Sequence, residues 1–233
     1  MTEHEWKQAF GRVVVEGVKT PEFDRFFSVK FTPERAKISL LQLGVFIKHR
    51  RDCWAFVSGN CPEMSVKQKI LAHEYDEIVQ DKYSDFGHME LIVRQARTLG
   101  LSPDQALNVE PLPSTRATLY AWGWITREHH WLEGLAALMA TEWANDDRLF
   151  LDSGGGVSRR EGIRWAEDMG LKWEQIPNLA AHAEADEEHG EMFLPVLTEF
   201  GKGNEERILK AARESMELYR VFRLGLALAM EAV

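Results

Sequence analysis

An all-α fold is what this sequence predicts, and three observations carry that expectation. Apolar residues recur at helical spacing through nearly the whole chain. No stretch shows the apolar–polar alternation of a strand. Most segments open and close on helix start and stop residues.

The elements follow in order. The segment from Phe31 to Phe56 opens with Thr32 as N-cap and Pro33 at the first helical position, where a missing N–H costs nothing. A long helix is predicted from Ser65, which with Gln68 is spaced as a capping box, to Gly100 as C-terminal glycine. Ser102 and Gln105 repeat the start pattern for a short helix. Ser114 to Asp147 reads as one long helix bent near Gly123, and Gly156 to Gly170 as a shorter one with glycines at both ends. Pro177 marks the start, or a kink, of a helix running to Phe200, and Gly203 to Val233 is the last. About seven helices in one domain spanning residues 1–233 are therefore expected, with no internal repeat or low-complexity tract. The loop Leu151 to Ser158 has three glycines but no phosphate-loop lysine, so it signals only a turn.

Composition narrows the function classes. The 233 residues carry a formal net charge of −9 and a pI of about 5.4, which argues against nucleic acid or an anionic membrane surface as partner. Cys53 and Cys61 are the two cysteines, so no disulfide framework is implied and a reduced, cytoplasmic setting is expected. The N-terminus is too polar for a signal peptide, and no apolar run is long enough to span a membrane.

Polar residues interrupt the apolar faces at three places. His182, Asp186 and His189, at offsets of 0, 4 and 7, fall within an arc of about 60° on a helix. Their stripe continues through Leu179 on one side and Phe193 and Val196 on the other, so it reads as a core face with three ligand-type residues in its middle. A solvated acidic face is the alternative, because Glu184, Glu187 and Glu188 lie nearby. Measured from His88 on a straight helix, Asp81, Glu77 and Glu74 lie within about 40° of it and Asp85 within about 60°. Alone, that set reads as surface. Glu142 stands among Leu135, Leu138 and Met139, where an unpaired carboxylate is unusual. Exposure near the helix end, or pairing with an arginine, would also explain it. Together these are histidines and carboxylates with no thiolate, a donor set that suits iron or manganese. The Glu-x-x-His pair of ferritin-like bundles does not occur.

With these residues in view, the chain resembles the haem-oxygenase-like di-iron oxidases, relatives of the TenA-type thiaminases and pyrroloquinoline quinone synthase, from about residue 33 to 230. His182, Asp186 and His189 match that family's late His-x-x-x-Asp-x-x-His. His88, before ELIVRQARTLGLS, matches its first histidine, and Glu142, 54 residues later, matches its middle-helix glutamate. A further carboxylate upstream of the first histidine varies in spacing; here Asp81 ranks first, Glu77 close behind, with Asp85 and Glu74 as further choices. The metal-free relatives lack the late motif. A subgroup that makes para-aminobenzoate from its own tyrosine is disfavoured, since the corresponding EFDRFFSVKF has none.

The resemblance implies a haem-oxygenase-like helical bundle. It implies two Fe(II) ions held by Glu77 or Asp81, His88, Glu142, His182, Asp186 and His189, with O2 as co-substrate. The reaction would oxidise a small molecule in biosynthesis: amino-acid N-oxygenation, oxidative C–C cleavage or fatty-acid decarboxylation. A homodimer is compatible with the amphipathic last helix. Two other readings stand beside it, a metal-free enzyme of the same fold acting on a heterocycle and a non-catalytic binding protein. Phe46, Trp54, Phe56, Tyr120, Trp122, Trp124 and Trp131 read mostly as packing, and Lys48, His49, Arg50 and Arg51 as exposed helix charge, with one arginine as a candidate for a substrate carboxylate.

Overall fold

Twelve α-helices and three short 3-10 turns make up the computed structural model, which describes residues 1–80 and 85–233, with 184–190 described by their backbone alone. The helices are α1 (Glu3–Val18), α2 (Pro21–Ser28), α3 (Pro33–Asn60), α4 (Met64–Ile78), α5 (His88–Thr98) and α6 (Pro103–Leu107). They continue as α7 (Pro113–Glu128), α8 (Trp131–Trp143), α9 (Val157–Met169), α10 (Pro177–Glu191), α11 (Leu194–Phe200) and α12 (Glu205–Glu231). The described residues contain no strand.

The expected all-α class holds, but the count of about seven is too low for specific local reasons. The N-terminal segment forms two helices, α1 capped by a Thr2–Glu5 box and α2 opened by Pro21. Three segments expected to be continuous are each divided. The Ser65–Gly100 helix stops at Ile78 and resumes at His88, and its start lies at Glu63, so the Ser65 capping box does not form. The Ser114–Asp147 helix breaks at His129 and His130, not at Gly123. His130 takes extended backbone, accepts from Leu132 N through its ring, and receives the Glu133 side chain on its own N–H. The third segment divides between α10 and α11. The Thr32, Ser102 and glycine-flanked starts behave as expected, with Gly170 in the left-handed region at φ 66°.

Helix α8 forms the centre. All of its residues except Glu133 are buried, and it packs on α12 most extensively and also on α3, α7, α10 and α1. A helix apolar on every side can exist only when surrounded. Trp122 Nε1 donates to Ser215 Oγ at 2.9 Å, and Ser215 donates to the Ala137 carbonyl at 2.6 Å, joining α7, α12 and α8. Trp6, Trp54, Trp122, Trp143 and Trp165 are all buried, as packing residues should be, whereas Tyr120 and Trp124 are exposed. Among the described residues no helix is long and apolar enough to cross a membrane.

Candidate metal centre

Helix α4 shows how the site is built. Val66, Ile70, His73 and Glu77 are its buried residues, spaced by 4, 3 and 4, so they form one inward stripe whose lower half is polar. The chain must then return so that α5 begins beside the end of α4. Gly87 permits this: a Cβ there would lie 2.0 Å from the Ile78 carbonyl oxygen. The return places His88 at the start of α5 with Nδ1 2.9 Å from Glu77 Oε2.

Helix α10 is tied to α5 by a buried glutamine. Gln95 Oε1 accepts from Asn178 N at 3.1 Å and Leu179 N at 3.3 Å, capping the first turn of α10. One turn later His182 Nδ1 donates to the Asn178 carbonyl at 2.9 Å. A carbonyl only accepts, so the proton sits on Nδ1 and Nε2 carries the lone pair. The His182 ring lies 4.2 Å, centroid to centroid, from that of His88.

The donor atoms of Glu77, His88 and His182 lie within 4.8 Å of one another, and so do those of His73, Glu77 and Glu142. Glu77 belongs to both groups. The donors come from α4, α5, α8 and α10, and all but His182 are buried. The His73 ring packs against Trp54 at 4.5 Å and Phe193 at 5.9 Å, which gives the site an apolar wall.

Two arginines of α3 supply positive charge. Arg50 Nη2 donates to Glu142 Oε1 at 2.7 Å and to the Leu138 carbonyl at 2.8 Å. Arg51 Nη1 lies 2.9 Å from both Glu74 Oε1 and Glu77 Oε2. Burial alone would push the Glu142 carboxyl up, but the Arg50 guanidinium beside it holds it below the usual carboxylate range. Burial likewise opposes the charge on Arg51, and Glu77 and Glu74 hold its proton more tightly than usual. Both arginines are therefore interior, not the exposed helix charge the sequence suggested; Arg50 is 4% exposed.

The expected site residues fall into three sets. Glu77, His88, Glu142 and His182 are brought together. Glu74 stands at the edge, bonded to Arg51 and to His73 Nδ1 at 3.1 Å, while Asp85 is exposed and belongs to neither donor group. Asp81 lies outside the described residues, as do the side chains of Asp186 and His189 on α10. His73 was missed. The clue was available in the 66–70–73–77 spacing, which a face measured back from His88 passes over.

Cys53 has a partner that sequence alone did not suggest. Its Sγ lies 3.4 Å from His49 Nδ1, one turn earlier on α3. Burial pushes this thiol up, so the pair favours an inert cysteine over a nucleophile.

The whole architecture has solved relatives. A domain of unknown function with a heme oxygenase-like fold from Shewanella denitrificans OS217 superposes with a TM-score of 0.76 at 15% identity, over 99% of this chain and 94% of that one. A TenA homologue from P. horikoshii OT3 gives 0.68 at 13% identity, over 99% and 98%. A TenA homologue from Pseudomonas syringae pv. tomato DC3000 gives 0.61 at 12%, over 96% and 89%. At such identities the likeness is one of fold, and the fold is heme-oxygenase-like. No protein of curated function matches the sequence. The profile of the iron-containing redox enzymes, however, matches residues 40–220, most of the length and every donor described above, and the chain belongs to that family.

Proposed function

We propose that this protein is a non-haem di-iron oxygenase or oxidase that uses O2 to oxidise a small organic molecule. The observation that carries the reading is the sharing of Glu77 by two donor groups, Glu77–His88–His182 and His73–Glu77–Glu142, in which all but His182 are buried. A carboxylate has two oxygens and can serve two cations at once, and a hard nitrogen and oxygen donor set suits iron. Bound there, two ferrous ions would supply the electrons that reduce O2.

The chain's own groups would do the rest. The Asn178 carbonyl fixes the His182 tautomer, so that Nε2 faces a cation without a rotamer search. Arg51 and His88 both reach Glu77 Oε2, each at 2.9 Å, which holds the shared carboxylate still. Trp54 and Phe193 keep water from the His73 side. Asp186 and His189, on the same helix as His182, complete the ligand set in this reading, and Asp81 is set aside in favour of Glu77.

A second reading rests on the two ion pairs. Arg50–Glu142 and Arg51–Glu77 already compensate the buried carboxylates, as a metal-free enzyme of this fold would require. An anaerobic Fe(II) titration of the metal-free protein separates the two. Uptake of about two irons per chain, followed by O2 consumption and a Mössbauer spectrum of coupled ferric ions, is expected for the di-iron site. A protein that takes up no iron would overturn it and leave the metal-free reading.

A further inference from the structure

Between α3, α8, α10 and α12 lies a cavity of about 30 Å³, bordered by Glu77, Glu142 and His182 on one side. That is room for about two waters or one carboxylate group. Leu43, Phe46 and Ile47 form an apolar wall, and Arg50 and Arg223 both line the space.

The two arginines are only partly used. Arg50 commits Nη2 to Glu142 and Leu138, while its buried Nη1 has no hydrogen-bond partner among the described residues. Arg223 commits Nη1 to Glu161 at 2.8 Å and Nη2 to the Tyr219 hydroxyl at 2.7 Å, while its buried Nε has none. Their side chains are 5% and 2% exposed. A buried guanidinium N–H left unpaired carries a desolvation cost that an anionic acceptor removes. Two such groups on one small cavity, with Leu43, Phe46 and Ile47 lining it on the same stripe of α3 as Arg50, describe a receptor for a small amphipathic anion.

We propose that this cavity binds the carboxylate of a small organic acid through Arg50 and Arg223, beside the carboxylate–histidine cluster. The proposal rests on the reading of that cluster as a metal centre in one respect, the order of binding. Without cations Arg50 is neutralised by Glu142, and the carboxylates Glu74, Glu77 and Glu142 outnumber Arg50 and Arg51. The local charge then repels an anion. Divalent cations taking Glu77 and Glu142 would reverse that balance and release Arg50. Metal and organic acid therefore bind with positive coupling, and the coupling is reciprocal.

The test compares propionate with its neutral isostere propionamide, by NMR titration of the full chain, metal-free and loaded with Mn(II), with bound Mn(II) counted by EPR. Propionate should bind about tenfold or more tighter than propionamide to the loaded protein, and Mn(II) should tighten propionate at least about fivefold. Arg50→Gln should erase the preference. Glu142→Gln, which frees Arg50 without any metal, should tighten propionate in the metal-free protein and decides the matter if Arg50→Gln does not fold. Equal affinity for the two probes in Mn(II)-loaded protein would overturn the proposal, as would an unchanged propionate affinity in folded Arg50→Gln, which would mean direct capture by the metal. If Mn(II) does not bind, the metal-centre reading fails by itself. The preference of metal-free Glu142→Gln for propionate then still decides the anion site.

Discussion

Glu77 Oε2 lies 2.9 Å from His88 Nδ1 although the two residues end one helix and begin the next. Their meeting depends on the close approach of Gly87 to the end of α4.

Gly87→Ala puts a methyl group where the Ile78 carbonyl oxygen stands, so the backbone must move. A loss of about 1–3 kcal/mol in urea unfolding is expected, as for overpacking elsewhere. The same variant should take up less iron, because His88 moves away from Glu77. Unchanged stability and unchanged uptake would show that the site does not depend on the Gly87–Ile78 approach.

The sharing of Glu77 predicts a pattern of stoichiometries. Glu77→Gln keeps the shape of the side chain but weakens both donor groups, and should lower iron binding at both positions. His73→Ala removes a donor from one group only, and should cost about one of the two irons. Colorimetric iron analysis after anaerobic loading reads both. Equal losses in the two variants would argue against a shared carboxylate.

Glu142 belongs to a candidate donor group and is also the partner of a buried arginine. Glu142→Ala leaves Arg50 uncompensated and should cost about 3–5 kcal/mol of stability, whereas the double variant Arg50→Met, Glu142→Leu should come close to the parent. The pair also fixes a pH dependence. The folded carboxyl of Glu142 is held below its unfolded value of about 4.3, so its contribution is present above that value and is lost as pH falls through the lower, folded one. Thermal unfolding from pH 6 down to pH 3 should therefore show a steeper decline in the parent than in the double variant.

Cys53 and Cys61 are both buried, and burial pushes both thiols up. In native protein at pH 8 neither should react with a disulfide reagent on the timescale of minutes, and both should react once the chain is unfolded. Rapid native labelling of Cys53 would restore the His49 pair as a candidate nucleophile.

The helical class, the Thr32 and Ser102 starts and the choice of His88, Glu142 and His182 as candidates were legible because each rests on local spacing. Periodicity and capping need only a few residues to declare themselves. The breaks at Ile78 and His129 were not legible in that way. The residues from 65 to 100 keep a helical pattern, and what divides them is a close approach of Gly87 to Ile78 that exists only in the folded chain. His73 stood in the 66–70–73–77 spacing but was passed over in measuring from His88. A face measured along one straight helix from His88 favours Asp81, whereas two short helices turn His73 and Glu77 inward together. Arg50 and Arg51 looked like surface charge because nothing near them in sequence neutralises them; Glu142, Glu74 and Glu77 all arrive from other helices.

By itself, then, the amino-acid order determined an acidic, all-helical chain with a nitrogen and oxygen donor set spread over separated segments. Only the tertiary structure decided which of those residues meet, that Glu77 belongs to two candidate groups, and that two arginines lie beside them. The reason is physical: helix formation is governed by neighbours within a few residues, while the pairing of buried charges is governed by whichever side chains the packing of α3, α4, α5, α8 and α10 carries into the same water-poor space.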